Sequence, residues 1–402
     1  MGGVNRNRAV VLMVAAIFAA AVVASAYDRT GGRRSEGREP RAPPTLQPSY
    51  STVGGVDPRA PFLRRFDGTV YGGLSLDSIP AVYKPEFDSV DDAGELLGPD
   101  ALVISLTVNG ETHGYPVNLL AAHEVVNDVV GGVPVVVTYC PLCHTALAYE
   151  RRVGGKTLVF GVSGKLYRAN LLLYDRGTRS LWSQLLGGAV TGPYRGARFR
   201  PVPATTTTWA AFRQEHPGAA VLSIRKDALA ANFTHPRLLP TNYGLERTDA
   251  PYQEYAVKAS RFPYRGRSIF RGLPSGELVL GLEVAGTPRA YPLSLLFHRR
   301  VVEDTVGTVP LLVVEDEAHA RTVAFLRTLG GRPLHFRTVR VHGRLALAER
   351  RTGTRFSLAT GEARRGPLAG GRLQQIPATL VYWWAWLGFF PETQPYREPT
   401  LR

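Results

Sequence analysis

The stretch Val133-Pro134-Val135-Val136-Val137-Thr138-Tyr139-Cys140-Pro141-Leu142-Cys143-His144 reads as a strand that ends on a pair of thiols. Residues 133–139 form a continuous apolar run, the pattern of a strand covered on both faces. Downstream, residues 145–151 and 156–160 read as a hairpin closed over Gly154-Gly155. Upstream, Leu102–Val108 alternates as a strand and ends in Asn109-Gly110, a strong hairpin signal. Residues 118–130 read as a helix, with Leu119, Leu120, His123, Val126 and Asn127 on one face. The expected class is α+β and rich in strands.

Laid on itself, the chain repeats. Val108-Asn109-Gly110 and Tyr115-Pro116 recur as Val284-Ala285-Gly286 and Tyr291-Pro292. Val125-Val126-Asn127-Asp128 recurs as Val301-Val302-Glu303-Asp304, and Gly154-Gly155 as Gly330-Gly331. After a two-residue deletion, Trp209 matches Trp383 and Pro217 matches Pro391. We therefore expect two tandem copies of a strand–helix–multistrand unit, residues 100–225 and 276–398. A lead-in at 61–99 and a connector at 226–275 accompany them. Positions shared by the copies report the fold, whereas polar positions found in one copy only are candidates for function. Cys140 aligns with Asp316, Cys143 with His319, Asn127 with Glu303, Tyr174-Asp175 with Ala348-Glu349, Trp182 with Phe356 and Gln184 with Leu358. Ser163, Tyr167 and Asn170 lie in or beside the shortened stretch. The second copy reads as degenerate, although drift after duplication would leave the same trace.

Two thiols in this spacing can close a disulfide, share a soft metal, or let one thiolate attack while the other resolves. Thioredoxin-like proteins open a helix at such a pair, but here a hairpin follows. A plain structural disulfide constrains little chain entropy over so short a ring. Cys140-Pro141-Leu142-Cys143-His144 also has the spacing of covalent haem attachment, which is disfavoured because the chain's methionines are Met1 and Met13 alone. For metal, Cys140 and Cys143 with His123 and His144, or with His113, are the ligand set to test for zinc, and the two thiolates alone would suit Cu(I). His123 on an apolar face is as readily a satisfied core histidine. Asp175 and Trp182 join the cysteines as catalytic candidates: Asp175 could hold a charge at a cleft and Trp182 could stack on a ligand. The bland alternative for Asp175 is a turn cap.

Arg6 and Arg8 precede an apolar run from Ala9 to Ala26 that ends in Ala24-Ser25-Ala26. That is the pattern of a secretory signal, and its 18 residues fall just short of a bilayer span. We expect residues 1–26 to be a cleaved signal or a membrane anchor, and 27–60 a Pro-, Gly- and Arg-rich tether. The working place is then extracytoplasmic. The 48 Lys and Arg outweigh 33 Asp and Glu by 15 charges, scattered along the sequence. Such an excess suits a surface near anionic lipid or cell-wall polymer. With no basic stripe interleaved with aromatics, nucleic acid is not an expected partner. The expected partners are a small molecule, a metal or an envelope protein.

His123-Glu124-Val125-Val126-Asn127-Asp128, Thr138-Tyr139-Cys140-Pro141-Leu142-Cys143, Phe160-Gly161-Val162-Ser163-Gly164 and Ser180-Leu181-Trp182-Ser183-Gln184 together resemble domain-of-unknown-function family 3179. The resemblance spans residues 79–392 and implies an exported protein with no established reaction. Family members carry Asn or Gly where this chain has His144, a further mark against haem. Some relatives are described as candidate selenoproteins at the cysteine motif, so the resemblance implies redox chemistry there. Two functions follow: a thiol-dependent redox or thiol–metal protein with Cys140 as the more exposed nucleophile and Cys143 resolving, or a non-catalytic envelope binding module with structural cysteines.

Overall fold

The computed structural model describes residues 61–72, 74–226, 272–274, 276–341 and 344–398. The expected signal or anchor at 1–26, the tether at 27–60 and nearly all of the connector at 226–275 lie outside these residues. Among the described residues no helix is long and apolar enough to cross a membrane. The protein is α+β and strand-rich, as expected, with short helices between several antiparallel sheets.

In the first half, β1 (Leu102–Val108) and β2 (Glu111–Pro116) form a hairpin over Asn109-Gly110, whose φ values of 49° and 86° are those of a type I′ turn. α1 (Val117–His123) follows, then β3 (Val125–Val130), β4 (Val133–Cys140) and β5 (Thr145–Glu150) as one antiparallel meander. β4 is central, which explains its unbroken apolar run. Val136 and Cys140 face one core cluster, while Val135, Val137 and Tyr139 face another. β6 (Phe160–Tyr167), β7 (Asn170–Asp175) and β8 (Leu181–Ser183) make a further sheet. β9 (Ala204–Thr208) returns to pair with β1, and α2 (Trp209–Glu215) closes the half.

One expected element is wrong: the helix at 118–130 stops after His123. Glu124 takes a left-handed backbone (φ 58°), which ends the helix. Val125, Val126, Val129 and Val130 then form a strand, the conformation β-branched side chains favour. Gly131-Gly132 turns that strand into β4. The hairpin expected after Cys143 is also smaller than read. Only Arg152–Val153 and Lys156–Thr157 pair over Gly154-Gly155, whereas β5 pairs back onto β4.

The second half follows the same order. β10 (Leu278–Val284), β11 (Thr287–Pro292), α3 (Leu293–Arg299), β12 (Val301–Val306), β13 (Val309–Asp316) and β14 (Arg321–Leu326) are succeeded by β15 (Phe336–Val341), β16 (Arg344–Glu349), β17 (Arg355–Phe356), β18 (Ala363–Arg365), β19 (Thr379–Tyr382) and α4 (Trp383–Phe389). The pairing register follows too: Val103 faces Pro116 as Val279 faces Pro292, Cys140 faces Thr145 as Asp316 faces Arg321, and Leu173 faces Trp182 as Leu347 faces Phe356. The two-residue offset falls at a bulge in β6, where Ser163 and Gly164 have no counterpart in β15.

The halves close on each other reciprocally. The Tyr382 amide, at the end of β19, donates to the Cys143 carbonyl at 3.2 Å. The Thr207 hydroxyl of β9 donates to the His319 carbonyl at 3.1 Å. Each half therefore lays its last strand and helix beside the other's β-turn at the 140–144 or 316–320 position.

A histidine pair shows how a difference in residue type can conceal one role. His113 Nδ1 lies 2.8 Å from Asp128, its Nε2 lies 2.7 Å from Glu111, and Tyr115 donates to Asp128 at 2.6 Å. Arg289 and Tyr291 hold Asp304 in the same way. His113 is therefore an ion-pair residue, not a metal ligand. Burial alone would lower its pKa, but Asp128 and Glu111 outweigh that and raise it above 6.5. Because the folded value is the higher one, the stabilisation is complete below about pH 6.5 and is lost as pH rises through the folded value. His113→Arg should flatten that decline, and urea midpoints between pH 6 and 9 (a range of roughly three units spanning the histidine titration) check it. An unchanged slope would refute the assignment.

Candidate functional site

Cys140 ends β4, and Cys143 lies in the turn that leads to β5. The pair therefore sits at a hairpin tip, not at a helix N-terminus. Both thiols are free and buried, at 1% and 0% exposure. The expectation that Cys140 would be the more exposed thiol has no support in these values.

What separates the two sulfurs is their hydrogen bonding. Asn170 Nδ2 donates to Cys143 Sγ at 3.1 Å, and Thr145 Oγ1 lies 3.2 Å from that sulfur. Cys140 Sγ has a longer contact, 4.0 Å to the Ala169 carbonyl. Burial opposes ionisation of both. For Cys143 the neighbouring Cys140, Thr145 and Asn170 groups together outweigh burial and hold its pKa below the ordinary thiol value. For Cys140, burial and then the Cys143 sulfur push the pKa well above it. The arrangement favours a thiolate at Cys143, with Cys140 the protonated member of the pair.

Behind the sulfur the polar groups satisfy one another. Gln184 Oε1 accepts from Asn170 Nδ2 and Thr145 Oγ1, both at 2.6 Å. Gln184 Nε2 donates to Thr138 Oγ1 at 2.9 Å and to the Thr145 carbonyl at 3.2 Å. Asn170 Oδ1 accepts from the Leu185 amide at 3.2 Å. Asn170, Thr145, Thr138 and Gln184 are almost completely buried, where an unsatisfied polar atom would be costly. The second half has none of this network: its residues at the Thr138, Thr145, Asn170 and Gln184 positions are Val314, Arg321, Arg344 and Leu358.

Other sequence candidates fall elsewhere. Asp175 is fully buried at the opposite end of β7 from Asn170, roughly 16 Å away along the strand. It caps a turn, accepting from the Thr178 and Ser180 amides and from Trp182 Nε1. Glu349 caps the corresponding turn in the second half. Trp182 is fully buried against Phe160, Tyr194 and Phe199. Both are fully buried, so neither is open to hold a charge at a cleft or to stack on a ligand, although Trp182 shares a core cluster with the two cysteines. Asn127 accepts from the Phe160 amide, and Glu303 accepts from the Phe336 amide, so that contrast also reflects the fold. Ser163 donates to the Leu172 carbonyl within its bulge, and Tyr167 donates to the Arg65 carbonyl.

The mixed metal site does not form either. His123 Nδ1 donates to the Pro80 carbonyl at 2.6 Å. His144 Nδ1 lies 3.2 Å from the Tyr139 hydroxyl, and burial lowers its pKa to about 4. His144 lines a cavity of about 20 Å³ shared with Thr205, Leu280 and Thr379, room for one water. Among the described residues no three His, Cys, Asp or Glu side chains converge as a ligand set.

Sequence reading singled out neither Glu124 nor the two threonines. The Glu124 carboxyl is buried, and burial pushes its pKa well above the ordinary value. Its counterpart after α3 is Arg300, a charge reversal visible in the repeat alignment.

Fold and site together define a strand-rich α+β protein with a buried, asymmetrically hydrogen-bonded dithiol. The chain belongs to the family described as protein of unknown function (DUF3179), whose model matches residues 76–393. No curated protein and no solved structure matches it.

Proposed function

We propose that this chain is an extracytoplasmic thiol–disulfide protein in which Cys143 is the attacking thiolate and Cys140 the resolving thiol. In this reading the second half is a degenerate copy that serves as scaffold and cover. The observation that carries it is the Asn170 amide donating to one buried sulfur, Cys143 Sγ, at 3.1 Å, with Thr145 Oγ1 at 3.2 Å from it. A purely structural pair gains nothing from stabilising the anion of one member. The signal-like residues 1–26 support a place outside the cytoplasmic membrane.

The chemistry balances without a cofactor. The Cys143 thiolate attacks one sulfur of a partner disulfide and expels the other as a thiolate. Cys140 then attacks the Cys143 sulfur, and its proton passes to the departing thiolate. The partner gains two electrons and becomes a dithiol, while Cys140 and Cys143 become a disulfide. Residues i and i+3 of a tight turn lie within about 7 Å, compatible with the Cα separation that a disulfide needs.

Thiol counting tests this. Protein reduced and then freed of reductant should show two thiols when denatured, none after treatment with a small disulfide, and two again after reductant. Thiols in the folded protein that resist the small disulfide over hours would defeat the proposal. So would stoichiometric copper or zinc held by the pair, which would favour the binding module.

A further inference from the structure

The charge excess is not evenly spread once the chain is folded. Residues 332–372, which include the whole β15–β18 sheet, hold ten arginines against Glu349 and Glu362. Both acids are occupied: Glu349 caps its turn, and Glu362 lies 3.9 Å from Arg372. Beside this sheet opens a cleft of about 810 Å³, within the range of ligand sites. Its rim includes Asp316 and His319, the counterparts of the two cysteines.

The acids at the cleft are likewise engaged. Glu215 binds Arg321 at 2.7 Å, Glu317 binds Arg300, and Asp316 binds His319 at 2.6 Å. Arg355, Arg364 and Arg365 also line it, all exposed, and their guanidinium groups make no hydrogen bond or ion pair among the described residues. Arg355 and Arg365 are direct cross-strand partners, and a bulge leaves Arg364, between Ala363 and Arg365, outside the ladder. Like charges facing each other across a ladder are destabilising, so the facing pair carries a repulsion that no acidic side chain among the described residues relieves. The same register positions in the first half hold Leu181, Thr191 and Val190. The second half has thus gained three cations at one cleft.

We infer that this cleft binds a phosphate-bearing ligand, with Arg355 and Arg365 flanking the phosphate. Planar guanidinium groups match phosphate oxygens two at a time, and an anion between them removes their repulsion. The inference is independent of the cysteines.

Calorimetry on the full chain at matched ionic strength tests it, with inorganic pyrophosphate in one arm and phosphatidylglycerol vesicles, against phosphatidylcholine vesicles, in the other. An R355Q/R365Q double variant should weaken binding by about tenfold or more, while Arg200→Gln on the first half should leave it nearly unchanged. Melting of the ligand-free variants checks that each is folded, and the double variant should melt no lower than the unaltered chain because it loses a repulsion. Pyrophosphate binding that the double variant loses identifies a soluble phosphate ligand. Binding confined to phosphatidylglycerol vesicles and lost in the same variant identifies a lipid headgroup. Either result supports the inference. Absence of binding to both probes, equal loss in Arg200→Gln, or preference for an oligonucleotide over both probes would overturn it.

Discussion

Replacing Asn170 with Ala should raise the pH at which Cys143 ionises by about one to two units. The amide supplies a donor to the sulfur at 3.1 Å, and a hydrogen bond to a charged group contributes about 1.5–3 kcal/mol, with one pKa unit worth about 1.4 kcal/mol. Thiolate absorbance against pH measures the midpoint, in a Cys140→Ser background so that one thiol titrates. Asn170→Asp should raise it further, since the donor is replaced by a negative charge of the same size. Asn170→Ala also leaves the Leu185 amide without its acceptor, at about 1–3 kcal/mol of stability. A midpoint that stays put while stability falls would show that Asn170 is a packing residue and that Cys143 is not held as an anion.

The sequence was most legible where one physical rule acted alone. Alternation and Asn-Gly placed β1 and its turn, and an unbroken apolar run placed β4 between two cores. It misled where two rules competed. Residues 118–130 satisfy a helical period, but four valines and a Gly-Gly turn favour a strand, and the left-handed Glu124 settles the contest. Comparing the two halves by residue type found Asn170 and Gln184 because those positions truly change role. It failed at Asp175 and Asn127 because Glu349 and Glu303 make equivalent hydrogen bonds with longer side chains. Carried to every buried position, the same comparison would have added Thr138, Thr145 and the Glu124–Arg300 reversal. It would also have shown the arginines of β17 and β18. Which polar residues converge on one sulfur depends on β4, β5 and β7 meeting in space, and no local pattern encodes that.

Trp383→Ala should both destabilise the protein and uncover the dithiol. Trp383 opens α4, whose seven residues are all buried, and it directly follows Tyr382, whose amide is bonded to the Cys143 carbonyl. It shares a core cluster with both cysteines. Truncating so large a buried side chain costs about 3–5 kcal/mol. Its indole N–H has no hydrogen-bond partner among the described residues, so Trp383→Phe, which keeps one aromatic ring in place, loses less than the Ala variant. Two routes can expose the thiols, and they differ in size. If labelling requires global unfolding, its rate should rise about tenfold for each 1.4 kcal/mol lost, and adding urea should accelerate it along the unfolding slope. If α4 alone lifts away, labelling of the Ala variant should outrun that relation and be nearly indifferent to low urea. The second outcome is expected, because α4 follows β19, whose Tyr382 amide meets the Cys143 carbonyl, and belongs to the other half of the chain from β4 and β5. Labelling that follows global stability in both variants would mean the sulfurs are sealed by their own sheet, and a partner disulfide could then reach Cys143 only in an unfolded chain.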